Sequence, residues 1–511
     1  MPLDLQGAIL CASLAFGLVF YHALSRRSRS TLPLPPGPRK LPLVGNLLDI
    51  PADLAWEKYM EWSKEYNSDI IHLNLAGQSV IVLSSLEATE ALLEKRSALY
   101  SDRSELHMVN GLMGWDSNVA LMKYGDTWRK NRRLLRQGFN PAIYQPLELA
   151  STRTLLGRLL DSPDAFSAHF RQMAGEIIIS MAYGIDVLPS EDPYVVLASK
   201  GVHSLIVALL NWYLVDFFPA LKYVPKWFPG AEFKRKAEEW RKLARAMVDV
   251  PYTETKRQME CGIAPRSFTS DALHTLRESD DGSYYGEEDI KASAGTMFAA
   301  GTDTTVSALS TFFLAMLVNP EAQRKAQTEI DAVTGGKYLP DFDDEAAMPY
   351  VSALVKEVLR WKNVTPIAIP HFLATEDEYR GYRLPADSIV IGSTWAILHD
   401  ELMYPDPYAF KPERFLLAGK LNPAVKDPDC AAFGFGRRIC PGRHMARSSV
   451  WIAVVSILAT FNIDKAVDEA GHVIEPTFEY LTALVSAPLP FKCSITPRSN
   501  EAAKLIRGIV H

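Results

Sequence analysis

Hydrophobic and polar positions change period several times along the 511-residue chain, and each change predicts an element. From Leu5 to Leu24 twenty residues carry no formal charge. At 1.5 Å per residue a helix of that length crosses the roughly 30 Å hydrocarbon layer of a bilayer. Arg26, Arg27, Arg29, Arg39 and Lys40 follow it and only Asp4 precedes it. A positive flank stays cytoplasmic, which predicts a single-pass anchor over residues 1–30 with the remaining chain facing the cytosol. A secretory signal peptide would place basic residues before the apolar run and a small-residue cleavage site after it, and the sequence has neither. Prolines then dominate Leu32–Asn46. They fix φ and cannot donate backbone hydrogen bonds, so residues 32–46 are expected to form a stiff extended strap.

Beyond the strap there is no second linker, repeat or low-complexity tract, and residues 31–511 are expected to form one large domain. A strand pair is predicted at Ile70–Leu75 and Ser79–Ser84, joined by Ala76-Gly77-Gln78. Helical period governs most of the rest. A long apolar helix is predicted over Glu288–Val318, ended by Asn319-Pro320. Pro320–Val333, stopped by Gly335-Gly336, and Pro349–Trp361 are amphipathic helices. A short β segment is expected around Tyr382–Trp395 and a buried helix over 441–461. The fold class is mainly α with a small β region.

Composition narrows the function classes. Apolar residues make up 48% of the chain, charged residues 22%, and the net charge is −6. That balance argues against a nucleic-acid binder. The five cysteines (Cys11, Cys261, Cys430, Cys440, Cys493) are scattered, and no pair has CxxC spacing. Four of them read as reduced thiols of a cytosol-facing protein.

Cys440 is different. It closes the run Phe433-Gly434-Phe435-Gly436-Arg437-Arg438-Ile439-Cys440-Pro441-Gly442, just ahead of an apolar helix. Glycines let such a loop approach a flat ligand closely. Backbone N–H groups and a helix amino terminus would favour the thiolate. Arg438 is placed to meet an acidic group on the ligand, and Pro441 suits a first helical turn.

The run FGFGRRICPG resembles the haem-binding signature of the cytochrome P450 superfamily, in which a cysteine thiolate is the axial iron ligand. Other family landmarks occur in order along nearly the whole chain. The resemblance implies a triangular helical body, with haem b between a long distal helix and the cysteine loop. It makes Cys440 the iron ligand and Phe433, Arg438 and Gly442 part of the haem site. Ala300-Gly301-Thr302-Asp303-Thr304-Thr305 matches the distal-helix motif, whose kink makes room for dioxygen. There Thr304 is the alcohol beside the iron-bound oxygen and Asp303 the proton relay. Trp128 and Arg132 match the family's WxxxR helix and would contact a haem propionate. His371 either does the same or lies in solvent. Glu357 and Arg360, with Arg414 of Pro412-Glu413-Arg414-Phe415, would form a buried structural charge network. Glu401 and Thr394 depart from common family residues, away from the iron chemistry.

The function implied is a monooxygenase that inserts one atom of O2 into a lipophilic substrate. Its electrons would come from NADPH through a separate membrane-bound reductase at the endoplasmic reticulum. Arg129, Lys130, Arg132, Arg133, Arg136, Arg437, Arg443 and Arg447 would supply a basic docking face. By family position the substrate pocket would include Met108, Leu112, Met113, Trp115, Met297, Phe298, Ile367, Ile369, Leu484 and Val485. Segments 216–219 and 224–230 resemble fungal members, which often oxidise terpenoids, polyketides or other secondary metabolites. The alternatives are a haem-thiolate isomerase or dehydratase, which often loses the acid–alcohol pair retained here, and a non-catalytic haem sensor.

Overall fold

The computed structural model describes residues 32–51, 53–189, 191–211, 213–278 and 284–508, so the expected anchor lies outside the described residues. Helix α1 (Ala55–Glu65) leads into the hairpin of β1 (Ile70–Leu75) and β2 (Gln78–Leu83). Alternate side chains of this hairpin enter two different apolar clusters. Ile71, Leu73, Val80 and Val82 pack with Tyr59 and Trp62 of α1, while Ile70, Ile81 and Leu83 pack with Leu92, Leu93 and Tyr100. Burial on both faces explains why these strands read as continuous apolar runs. The link is two residues, shorter than the three predicted. Ala76 (φ 49°) and Gly77 (φ 97°) both take the left-handed conformation of a tight hairpin turn, and Gln78 already pairs with Leu75.

The helical body contains α2 (Asp126–Gly138), α3 (Pro141–Asp161), α4 (Phe166–Tyr183), α5 (Pro193–Leu210), α6 (Glu232–Glu260), α7 (Glu287–Val318), α8 (Pro320–Thr334), α9 (Pro349–Trp361) and α10 (Arg443–Thr460). Helix α7 runs through the core and packs on α2, α4 and α10. It starts one residue earlier than predicted, because the Asp289 carboxylate accepts the Gly286 N–H at 2.9 Å. Asn319 ends it, and Pro320 occupies the first turn of α8. Gly335, at φ 60°, terminates α8.

Two chain segments return to the hairpin. β3 (His371–Leu373) and β4 (Ser388–Gly392) complete a four-stranded sheet in the order β1-β2-β4-β3. β4 runs parallel to β2 in the register Val80↔Ile389 to Leu83↔Gly392, and antiparallel to β3. The region predicted as one β segment thus holds two strands, Tyr382–Leu384 and β4. Trp395 is not in either. It belongs to a short helix, Thr394–Leu398, capped by the Ser393 side chain on the Ala396 N–H.

Candidate active site

The cysteine loop is built by two left-handed glycines. Gly434 (φ 77°) and Gly436 (φ 54°) turn the chain, and the Cys440 N–H closes the loop on the Phe433 carbonyl at 2.8 Å. A Cβ on Gly436 would sit 2.0 Å from the Leu93 carbonyl oxygen, so backbone meets backbone there. Gly442 has an ordinary φ of −90°; a Cβ on it would press on the Phe139 ring. Helix α10 begins at Arg443, so Pro441 precedes the helix and is not in its first turn as predicted. The Gly442 N–H points at the Cys440 sulfur. Burial pushes this thiol up, while the Gly442 N–H, Arg132 and Arg443 pull the other way.

A cluster of buried and half-buried cations lies beside the loop. The Arg438 guanidinium stacks 4.6 Å from the Trp128 ring and donates to the carbonyls of Ser101 (2.7 Å), Val119 (3.2 Å) and Met122 (2.7 Å). Arg132 donates to the Ile439 carbonyl. Arg103, which sequence reasoning missed, is also buried. Its Nη1 donates to the carbonyls of Ile369 (2.8 Å) and Pro370 (2.7 Å), and its Nε to Ala120 (3.0 Å). His371 is 2% exposed, not solvated, with Nδ1 2.8 Å from the Tyr100 carbonyl. A carbonyl only accepts, so Nδ1 carries the proton. Burial first, then Arg103, holds His371 well below the usual imidazole range and keeps it neutral. Its Nε2 could donate to an anion only as the imidazolium, which an anion there would favour.

Among the described residues neither Arg103 nor Arg438 has a carboxylate partner. The nearby Asp102 accepts the N–H groups of Arg103 and Tyr124 through Oδ1 instead. Burial holds Arg438 down to about 10 and Arg103 well below its ordinary value. A guanidinium keeps its proton under such pressure, so these groups call for an anion between them.

A second charged cluster holds its own anion. Arg360 binds Glu357 through Nε (2.7 Å) and Nη2 (2.9 Å), and both are completely buried. Arg414 Nε lies 3.1 Å from each Glu357 oxygen. Both arginines also donate to carbonyls of the 398–409 segment. The structure thus brings together the three residues that the sequence singled out.

On α7, the Thr304 hydroxyl donates to the Ala300 carbonyl at 2.8 Å, and Thr305 to Gly301 at 3.1 Å. Asp303 lies 3.7 Å from Arg171 of α4. Gly301 is required by α4, since a Cβ there would meet Ile178 at 2.6 Å. Through this motif α7 is one unbroken α-helix.

The family model for cytochrome P450 matches residues 35–494. The chain belongs to the cytochrome P450 family. It is 47% identical to cytochrome P450 monooxygenase 98 of Postia placenta over 96% of this chain and 95% of that one. It is 44% identical to cytochrome P450 monooxygenase ple1 of Rhodocybe pseudopiperita over 98% and 96% of the two chains. To tryptamine 4-monooxygenase of Psilocybe cyanescens it is 40% identical over 98% of this chain and all of that one. The protein is a cytochrome P450 monooxygenase with the mainly helical fold of that family.

The residues of this P450 fit haem. Cys440 is half-buried with cations and an N–H group around its sulfur, and Arg103 and Arg438, without a carboxylate partner among the described residues, match the charge of propionates. Of the basic residues predicted to form a face, Arg129, Lys130, Arg133, Arg136 and Arg437 are exposed. Arg129 pairs with Asp126, Arg437 with the Tyr124 hydroxyl, and Arg447 with Asp429. Arg132 and Arg443 turn toward the sulfur. Among the expected pocket residues Met108, Met113, Trp115 and Met297 are buried. Phe298 is buried too and packs edge-on against Tyr183, and Ile367 is partly buried against the apolar cluster of the sheet.

Proposed function

We propose that this P450 inserts one oxygen atom of O2 into a lipophilic secondary metabolite of terpenoid or polyketide type. Haem b, held by Cys440, supplies the oxygen-activating chemistry when bound. The protein's share is orientation and proton supply. Trp128, Arg132 and Arg438, with Arg103 and with His371 as the imidazolium, hold the propionates. Phe433 and Gly442 shape the loop behind the sulfur, and Glu357, Arg360 and Arg414 brace the chain around it. Asp303 is 23% exposed and sits beside the half-exposed Arg171, so its carboxylate has a path to solvent. It passes protons inward along α7, and the Thr304 hydroxyl receives them at the substrate side.

Carboxylates near the expected pocket residues Met108 and Trp115 are engaged elsewhere or exposed, which supports an apolar substrate. Glu105 pairs with Lys123 at 2.8 Å, Asp216 accepts the Met108 N–H at 2.9 Å, and Asp116 is exposed. Electrons come from NADPH through a separate reductase docking on the face of Arg129, Lys130, Arg133, Arg136 and Arg437. Residues 1–30 anchor the chain in the endoplasmic reticulum membrane and residues 31–511 form the catalytic domain in the cytosol. Apolar side chains exposed at Leu41, Leu43 and Leu48, and at Leu214, Phe218, Tyr223 and Trp227, support contact with lipid.

The observation that carries this reading is the Cys440 loop, whose sulfur faces the Gly442 N–H, Arg132 and Arg443, together with the Arg103 and Arg438 guanidinia that have no carboxylate partner among the described residues. The test feeds an extract of the source organism to microsomes holding the protein and a reductase, with and without NADPH. A product one oxygen atom heavier than a substrate, formed only with NADPH and lost in Cys440→Ala, is expected. No such product in any condition would overturn it.

A further inference from the structure

Asp289, Ser293 and Thr296 of α7 are four and three residues apart, so they share one face of the helix. Two of them hold Asn131 of α2. Its Nδ2 donates to Asp289 Oδ1 at 2.9 Å, and its Oδ1 accepts the Ser293 hydroxyl at 2.9 Å. Nδ2 also donates to the Thr127 carbonyl, so both amide protons and the amide oxygen are engaged. A carboxylate only accepts, which fixes the orientation of the amide. Asn131 and Ser293 are completely buried. In α2, Asn131 directly precedes Arg132 and lies three residues after Trp128.

Thr296 holds a different segment. The N–H groups of Asn118, Ala120, Leu121 and Met122 close locally, on Trp115 and Asn118. That of Val119 leaves the segment and meets Thr296 Oγ1 at 3.0 Å, while the Thr296 hydroxyl donates to the Ala292 carbonyl. The outward carbonyls of the same stretch serve the buried cations: Val119 and Met122 accept from Arg438, and Ala120 from Arg103. Apolar packing is non-directional and survives a slide of one element along another. A buried amide or N–H does not, because another register leaves it without its acceptor. The stripe runs on to Ala300, whose carbonyl accepts the Thr304 hydroxyl. We propose that Asp289, Ser293 and Thr296 are positioning residues for the haem, a role that rests on Trp128, Arg132, Arg103 and Arg438 binding its propionates. Through Asn131 they set Trp128 and Arg132, and through residues 119–122 they set Arg103 and Arg438. Both sets are thereby registered against the helix that carries Asp303 and Thr304.

Two measurements on the holoenzyme test this: the rate of haem transfer to an acceptor globin, and the propionate bending bands of the resonance Raman spectrum. Thr296→Val removes the acceptor of the Val119 N–H, and Ser293→Ala removes one oxygen from the Asn131 pair. Each is expected to speed haem transfer about fivefold and to shift the propionate bands, with the thiolate-type carbon monoxide band retained. Thr296→Ser keeps the hydroxyl and should match the parent in both. Should Thr296→Val yield no holoprotein, Ser293→Ala decides. Arg438→Leu is the control for the propionate role itself. If it moves both readouts while Thr296→Val and Ser293→Ala match the parent, the positioning role is overturned and the propionate role stands. An Arg438→Leu protein indistinguishable from the parent would overturn both. Faster transfer with unmoved propionate bands in Thr296→Val and Ser293→Ala would mark a general loosening of the fold, and would equally overturn the proposal.

Discussion

Glu148 of α3 is completely buried, and the acid accepts hydrogen bonds from two adjacent hydroxyls of α10, Ser449 at 2.6 Å and Ser448. No cation pairs with it among the described residues. It thus clamps the helix that follows the cysteine loop without a compensating charge.

The clamp makes stability depend on pH. Burial pushes the Glu148 carboxyl up to about 8 in the folded chain, against 4.5 ordinarily, with the serine hydroxyls opposing the shift. Between those values the folded state keeps a proton that the unfolded chain releases. The contribution is full below about pH 4.5 and is lost as pH rises through 8. Glu148→Gln keeps an acceptor and cannot ionise, so its melting temperature should fall less between pH 6 and 9. Parallel melting curves for the two proteins check this.

Removing one charge from the Glu357 network should be severe. Glu357→Gln leaves Arg360 and Arg414 short of their anion in a buried site, a loss of about 3–5 kcal/mol. The expected outcome is little holoprotein, read as the reduced carbon monoxide band per mole of chain.

Haem retention should depend on Arg438 lying flat on Trp128. A desolvated cation–π contact contributes up to about 2 kcal/mol, so Trp128→Leu is expected to speed haem loss to an acceptor globin about tenfold. Arg103→Leu should do at least as much, and a variant that keeps its haem as well as the parent would count against the propionate role.

Proton supply is separable from binding. Asp303→Asn preserves size and hydrogen bonding but cannot relay a proton. It should lower kcat by about 10² or more, with the substrate-induced spectral shift unchanged. An unaltered kcat would remove Asp303 from the relay.

Docking of a reductase is separable from both. Lys130→Glu and Arg133→Glu change exposed side chains on α2. They are expected to slow the first electron several-fold at low salt, with less effect at high salt and no change in the haem spectrum.

Much of this was legible in the sequence because it rests on local rules. Prolines at first turns and Gly335 after α8 set helix limits to within a residue or two, and both faces of the hairpin announced themselves as apolar. Glu357 and Arg360 lie three residues apart on one helix, so their contact needs no tertiary information. Arg103 was not legible. Its partners are carbonyls of residues 120, 369 and 370, and carbonyls carry no signature of residue type. The burial of His371 was hidden for the same reason, since it depends on β3 joining a sheet begun three hundred residues earlier. Pro441 fell outside its helix because the loop first has to present its N–H groups to the sulfur.

The parallel pairing of β2 with β4 has a consequence for synthesis. The open edge of Val80–Leu83 finds its neighbour only after about 300 further residues have been made. At roughly 5–20 residues per second that is about 15–60 s. Through this interval a run of aliphatic side chains with unclaimed N–H and C=O groups waits on the ribosome-bound chain, a template for pairing with any other nascent strand. The protein's yield in a foreign host should accordingly be set more by the chaperones that meet this edge than by the stability of the finished fold.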